Sequence, residues 1–485
     1  MKPFYLDGCW VETQASEAVH NPWSGEKLAD ICTAGSQDVE SAIASAHSAF
    51  QKTRKISSEA RAATLERISQ LLRERRQEFV DVIVAEAGKP VTFAEAEVDR
   101  ACLTFRFAAA LALGDDGHGI NMEASAPGLG HFGIVHRFPL GVILGITPFN
   151  FPLNLVAHKV APCIATGNTM LLKPAMKTPL TALLLAEVLH EAGVPAGQVN
   201  IIPFAHELIP PLLADARVKM LSFTGSVDVG WNLKGHAAKM KCALELGGNA
   251  AVIVEPDSDW HAAVPKIAAA AYGFAGQSCI SVQRILVHRE IFSQFRGALV
   301  SFIQEKIHTG DPSERQTLVG PMINAAACEK IVRWVEEATD AGASLLTPLQ
   351  TSGRSVLGPL LLENVPSDSS VLREEAFAPL AVLQNYGTYE EALAMANDSR
   401  FGLQAGVFTN NLQNAIRAFE ELEVGGVMVN QVPTFRVENM PYGGIKESGS
   451  GREGVRYAMA SRLPASRKSK CVMPIALPTE KPPPL

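Results

Sequence analysis

The chain has 485 residues, too many for a single core, and its 47% apolar and 19% charged residues are an ordinary globular balance, so two or three packed domains are expected. A formal net charge of −7, with Arg73-Glu74-Arg75-Arg76 the nearest thing to a basic block, excludes a protein that holds nucleic acid by charge. The first ten residues carry no signal-peptide core and no apolar run is long enough to span a membrane, which makes a cytoplasmic location the expectation.

Turn signals at Asn21-Pro22 and Ser24-Gly25 give way to helical spacing of apolar residues over 38–50, 58–86 and 92–113. Gly128-Leu129-Gly130-His131-Phe132-Gly133 fits a dinucleotide-binding fingerprint, but Pro127 precedes it and β-like alternation over 132–138 follows, so the pattern predicts a hairpin instead. From 142 onward strands and helices alternate: strand 142–146, helix 153–165, strand 169–172, a helix capped by Thr178 with Pro179 in its first turn, strand 199–202, a short helix near Ile209, strand 220–223 and a helix from Ser226. That rhythm implies a parallel sheet covered on both faces. A second series runs through strand 251–254, helix 260–272, strand 284–288, helices 290–304 and 324–342, strand 380–386, a capping-box helix 388–397, strand 405–408, helix 412–422 and strand 427–429. Two α/β units joined near Gly247-Gly248 are predicted, with a tail from 466 that is basic, then apolar, then proline-rich.

The eight cysteines are scattered without CxxC or Cys/His ligand spacing, which argues for free thiols and against a disulfide framework or a metal site. One of them, Cys279, follows the turn signal Gly276-Gln277-Ser278 and precedes a strand-like run. A thiol in such a bend can attack a carbonyl that backbone amides face, although a lone cysteine is more often a core residue. What raises the functional reading is its company: Asn150 in Pro148-Phe149-Asn150-Phe151-Pro152, Lys173 in Leu171-Leu172-Lys173-Pro174, and Glu245 in Leu244-Glu245-Leu246-Gly247-Gly248-Asn249.

With Phe223-Thr224-Gly225-Ser226 and Gly230, Glu374-Glu375-Ala376-Phe377-Ala378-Pro379, and the block from Pro441-Tyr442-Gly443-Gly444 to Arg452-Glu453-Gly454, these motifs resemble the NAD(P)-dependent aldehyde dehydrogenase superfamily in order and interval, from about residue 6 to 473. The resemblance implies a Rossmann-like cofactor domain (1–123 and 142–247), an α/β catalytic domain (248–447) and a small β arm (124–141 and 464–477) that pairs subunits in a homodimer or homotetramer. An aldehyde has no hydroxyl-bearing carbon from which hydride can leave, so a nucleophile must first make that carbon tetrahedral. Cys279 would do so as a thiohemiacetal, hydride loss would leave a thioester, and Glu245 would activate the water that hydrolyses it. Asn150 and the Cys279 backbone N–H would bind the oxyanion; on the residues alone Asn150 reads as a turn residue.

For NADP or NAD, the resemblance assigns Lys173 to the adenosine ribose, Gly225, Ser226 and Gly230 to the pyrophosphate, and Glu375 and Phe377 to the nicotinamide riboside. NAD-preferring relatives commonly carry a glutamate three residues after the lysine; here Met176 stands there, followed by Lys177, which makes NADP acceptable. Leu155, His158, Ser278, Ile280, Arg106 and Arg436 would surround the substrate mouth and suit a small hydroxylated or anionic aldehyde, although Arg106 and Arg436 read equally well as structural ion pairs. The wording of 432–437 resembles the branch acting on lactaldehyde-, glyceraldehyde- and phosphono- or sulfoacetaldehyde-like substrates. A CoA-acylating relative usually lacks the glutamate base, so Glu245 speaks against that alternative, and the retained Cys279, Asn150 and Lys173 speak against a silent structural member.

Overall fold

The computed structural model describes residues 1–114, 117–128, 133–237, 239–460 and 471–472. Wholly buried runs such as Val142–Ile146 and Thr169–Lys173 can only sit inside a sheet covered on both faces. The first sheet orders eight strands as Cys9–Val11, Phe4–Leu6, Val199–Ile201, Thr169–Lys173, Val142–Ile146, Val218–Thr224, Lys241–Glu245 and Gly449–Ser450. Its five central strands are parallel. The chain winds outward from Val142–Ile146 in one direction and then crosses back to lay Val218–Thr224 on the other side. Strand order therefore reverses between these two strands, and a crevice opens at their carboxyl ends.

The second sheet runs Ser344–Leu345, Leu360–Glu363, Leu380–Tyr386, Val282–His288, Ala250–Val254, Gln404–Phe408, Gly426–Val429 and Cys471–Val472. The fold is α/β, with a Rossmann-like sheet and a second α/β sheet. The chain crosses between them after Glu245 and later returns, because Gly449–Ser450 pairs antiparallel with the end of Lys241–Glu245.

Most predicted elements lie within a few residues of those observed, and the exceptions have physical causes. The helix expected over 58–86 divides into Ser58–Glu74 and Arg76–Ala87 at Arg75, whose guanidinium is held by Glu78 and Glu187. Thr178 does not cap the helix Leu180–Glu191: its hydroxyl donates to the Phe149 carbonyl at 3.3 Å. Instead the buried Glu86 carboxylate accepts from Leu180 N at 2.7 Å and Thr181 N at 2.9 Å, a cap supplied from 94 residues away. The first segment also contains four short strands that its turn signals only punctuate, among them the pair Ser16–His20 and Lys27–Cys32. Gly117–Ile120 pairs antiparallel with Gly133–His136, and residues 129–132 of the Gly-x-Gly pattern lie outside the described residues. Of the expected arm strand 464–477 only 471–472 are described, paired with Gly426–Val429.

Removing the Glu86 carboxylate leaves two buried N–H groups without acceptors. Glu86→Ala is therefore expected to lower the denaturant midpoint by the equivalent of about 2–4 kcal/mol, whereas Thr178→Ala should move it far less.

Candidate active site

The nucleophile candidate is placed by an unusual turn. After the helix Trp260–Tyr272, Phe274 (φ 53°), Ala275 (φ 53°) and Gly276 (φ 65°) are all left-handed, a conformation that costs roughly 1–2 kcal/mol for each non-glycine residue. The surroundings enforce it. Gln277 is buried and donates to Pro321 O at 3.2 Å while accepting from Ile323 N at 2.9 Å. A methyl group built on Gly276 would lie 2.0 Å from the Ala378 carbonyl oxygen, so only glycine fits. The turn delivers Cys279 half-buried, with its thiol pushed up by burial and its Sγ 2.9 Å from the Tyr442 hydroxyl.

Asn150 meets this turn from the first sheet. Its Nδ2 donates to the Gln277 carbonyl at 3.0 Å, which spends one of the two amide protons and aims the group at the sulfur's neighbourhood. The Cys279 N–H takes no part in the turn's own bonds, Ser278 N to Gly276 O and Ser281 N to Ser278 O. Asn150 itself is steadied from below, since Glu97 accepts from Leu153 N and Asn154 N at 2.9 and 3.0 Å. The fully buried Lys89 completes that support: it pairs with Glu97 and lies 3.6 Å from the Phe151 ring centroid.

Glu245 ends its strand buried, and neither carboxylate oxygen has a hydrogen-bond partner among the described residues. Burial and the negative charge of Glu453 push its carboxyl well above the ordinary range, with Arg436, Lys159 and Arg452 pulling the other way. Two glycines follow because other segments press on this backbone. A methyl on Gly247 would lie 2.3 Å from Glu375 Oε2, and one on Gly248 would lie 2.2 Å from the Cys279 carbonyl oxygen.

Cys279, Asn150, Glu245 and Leu155 line a cavity of about 590 Å3 whose walls also include Lys173, Met176, Lys177, Gly225, Ser226, Glu375 and Phe377. The residues suit a dinucleotide. The helix Val227–His236 starts at the cavity with no side chain capping its N-terminus, leaving its first N–H groups available to an anion. Lys173 is almost fully buried, with burial lowering its ammonium to about 8. Met176 is half-buried and Lys177 exposed. Glu375 accepts from Gly248 N at 3.0 Å, and burial raises it to about 7. Gly230 does not line the cavity: a methyl there would strike Leu246 Cδ2 at 2.3 Å, so its bareness serves helix–sheet packing that lets the helix approach.

Several expected substrate residues are otherwise engaged. His158 is buried and bound to Glu438, which also pairs with Arg100. Burial alone would raise Glu438, but His158, Arg100 and Arg436 hold it well below the usual carboxylate range. Arg436 lies 3.5 Å from Glu453 and 3.8 Å from the Tyr442 ring centroid. Ile280 packs with Leu403 and Tyr442 beside Cys279, Ser278 is half-buried in the turn, and Arg106 is exposed on the helix Val91–Ala112. The groups that sequence reasoning missed are Tyr442, Lys159 and Glu453. Two of them stand in the Pro441–Gly454 block that was read only as a signature. Lys159 donates to Thr224 at 2.8 Å and lies 4.0 Å from Glu453. Among the described residues no group of three or more His, Cys, Asp or Glu could hold a metal, and no helix is long and apolar enough to cross a membrane.

The profile of the aldehyde dehydrogenase family matches residues 10–464. A 3-sulfolactaldehyde dehydrogenase from Priestia aryabhattai is 40% identical over 456 residues, 94% of this chain and 95% of that protein. A lactaldehyde dehydrogenase from Methanococcus maripaludis is 34% identical, over 94% and 97% respectively. Aldehyde dehydrogenase 21 from Physcomitrella patens, solved with the reaction product succinate, superposes with a TM-score of 0.92 at 38% identity, covering 95% of this chain and 96% of that one. A glyceraldehyde-3-phosphate dehydrogenase from Methanocaldococcus jannaschii, solved with NADP, gives 0.87 at 35% identity, over 92% and 97%.

Because a methyl at Gly276 must displace the Ala378 backbone, Gly276→Ala is expected to cut turnover at least tenfold while cofactor affinity, read by fluorescence quenching, changes by less than threefold. Unchanged turnover would contradict the role given to this turn.

Proposed function

The chain belongs to the aldehyde dehydrogenase family, and from that membership we propose that it oxidises a small hydroxylated or anionic aldehyde to the acid through Cys279, Asn150 and Glu245. It is an NAD(P)-dependent, non-acylating oxidoreductase. The single observation that carries the finer reading is that these three side chains, from three separate segments, line the same cavity as the residues suited to a dinucleotide. The relatives' names, which concern sulfolactaldehyde and lactaldehyde, support a short polar substrate.

In the proposed sequence the Cys279 sulfur adds to the carbonyl carbon, and the C=O pair moves to oxygen, where the second Asn150 amide proton and the Cys279 N–H receive it. A nicotinamide held by Glu375 and Phe377 would supply the hydride acceptor that oxidation of this carbon requires. Glu245 then takes a proton from water as the oxygen attacks the thioester, expelling the Cys279 thiolate and releasing the acid. Lys173, Ser226 and the uncapped helix behind it would hold the adenosine and pyrophosphate portions, and Glu375 and Phe377 the nicotinamide riboside. With Met176 in place of a carboxylate and Lys177 adjacent, position 176 does not repel a 2′-phosphate, which supports NADP use.

Cys279→Ala should abolish turnover with lactaldehyde, glyceraldehyde, succinate semialdehyde, phosphonoacetaldehyde and sulfoacetaldehyde alike. Glu245→Gln should release one burst of reduced cofactor and stall; steady turnover in that variant would refute the base assignment. Glu245 works only when ionised and its carboxyl is raised, so wild-type steady-state rate should climb with pH above the ordinary carboxylate range. The burst phase should lack that Glu245 limb and rise only with ionisation of the Cys279 thiol. For the cofactor, Met176→Glu should raise KM for NADP at least tenfold and leave KM for NAD within threefold. An equal rise for both would oppose the 2′-phosphate reading.

A further inference from the structure

We propose that Tyr442 is a further catalytic residue, whose hydroxyl donates a hydrogen bond to the Cys279 thiolate and so favours the ionised form of the nucleophile and aims it. The geometry is direct: Tyr442 Oη lies 2.9 Å from Cys279 Sγ. The ring is buried and fixed at both ends. Its backbone exchanges bonds with Glu453, Tyr442 N to Glu453 O at 3.0 Å and Glu453 N to Tyr442 O at 2.6 Å. Its edge packs on Ile280 and Leu403, and the Arg436 guanidinium covers its face at 3.8 Å from the centroid.

The need for such a donor follows from the surroundings. Burial disfavours a thiolate at this position, and the carboxylates of Glu375 and Glu245 add to that, leaving Arg436 and Tyr442 as the groups that favour the charge. Tyr442 is itself held far from ionising by burial and by the same sulfur, so it remains a donor across the working range of pH. Arg436 stacked on the ring strengthens the donor, since a cation on the ring's face draws electron density from the phenol. On ionisation the thiol proton leaves to solvent in the cleft and the tyrosine keeps its own. When the sulfur bonds to carbon it becomes a neutral, weak acceptor, so the hydroxyl favours the thiolate over every later sulfur species.

This inference rests on Cys279 being the nucleophile, which the Cys279→Ala turnover assay judges separately. The test is the pH dependence, from 6 to 10.5, of alkylation of full-length wild type and Tyr442→Phe by iodoacetamide, with the modified peptide identified by mass. Losing one charge-assisted hydrogen bond should raise the apparent thiol pKa by about one unit. A tenfold smaller thiolate fraction is partly offset by a more nucleophilic sulfur, so the rate at pH 7.5 should fall about threefold while the high-pH limit stays equal or rises. The burst of reduced cofactor should slow at pH 7.5 and recover on raising the pH. Loss of the ring's packing alone would lower rates without moving the profile. Superimposable profiles, or alkylation at pH 7.5 as fast as wild type, would overturn the proposal whether or not Cys279→Ala is dead.

Discussion

Two backbone contacts set the geometry on which the rest of this protein depends: the Ala378 carbonyl over Gly276 and the Cys279 carbonyl over Gly248. Neither approach tolerates a β-carbon, and together they press the Cys279 turn against the segment that joins the two sheets. The left-handed stretch Phe274–Gly276 is costly by itself, and it persists because Gln277 ties the turn to the Pro321 and Ile323 backbone. Packing of this kind turns a sequence-distant thiol into one that Asn150, on the other sheet, can reach through Gln277.

Around that contact lies a buried set of charges that nearly balances. Glu245, Glu453 and Glu438 face Lys159, Arg436 and Arg100, with His158 hydrogen-bonded to Glu438, and no member is free to drift, because removing one partner would strand another in a poor solvent. This explains why His158 and Arg436 do not line the cavity: His158 is hydrogen-bonded to Glu438 and Arg436 is paired with Glu453 inside the wall. It also explains why Glu245, the one carboxylate in the set without a cation within bridging distance or a hydrogen bond among the described residues, carries a raised pKa. An unsatisfied, reluctant carboxylate facing a cleft is suited to taking a proton from water.

Much of this architecture was legible in the chain. Strands such as Val142–Ile146 and Ala250–Val254 announced themselves because apolar runs buried on both faces leave no other option, and Cys279, Asn150 and Glu245 stood out through the motifs that hold them. What was hidden depends on long-range partners. The Glu86 cap comes from a helix far upstream, where local pattern favoured Thr178. Gly230, expected at the pyrophosphate, is pressed against Leu246, a packing demand that only long-range geometry reveals. Tyr442 sat in a recognised block without a role, since nothing in the sequence tells which aromatic in a glycine-rich loop will touch a sulfur 163 positions away.

The central claim is that substrate carbon passes through a covalent bond to one particular sulfur. Mass spectrometry of Glu245→Gln after mixing with lactaldehyde and cofactor tests it most directly. The account predicts a gain equal to the aldehyde less two hydrogens, on the peptide bearing Cys279 and only when cofactor is present. No gain, or a gain on another cysteine, would contradict it.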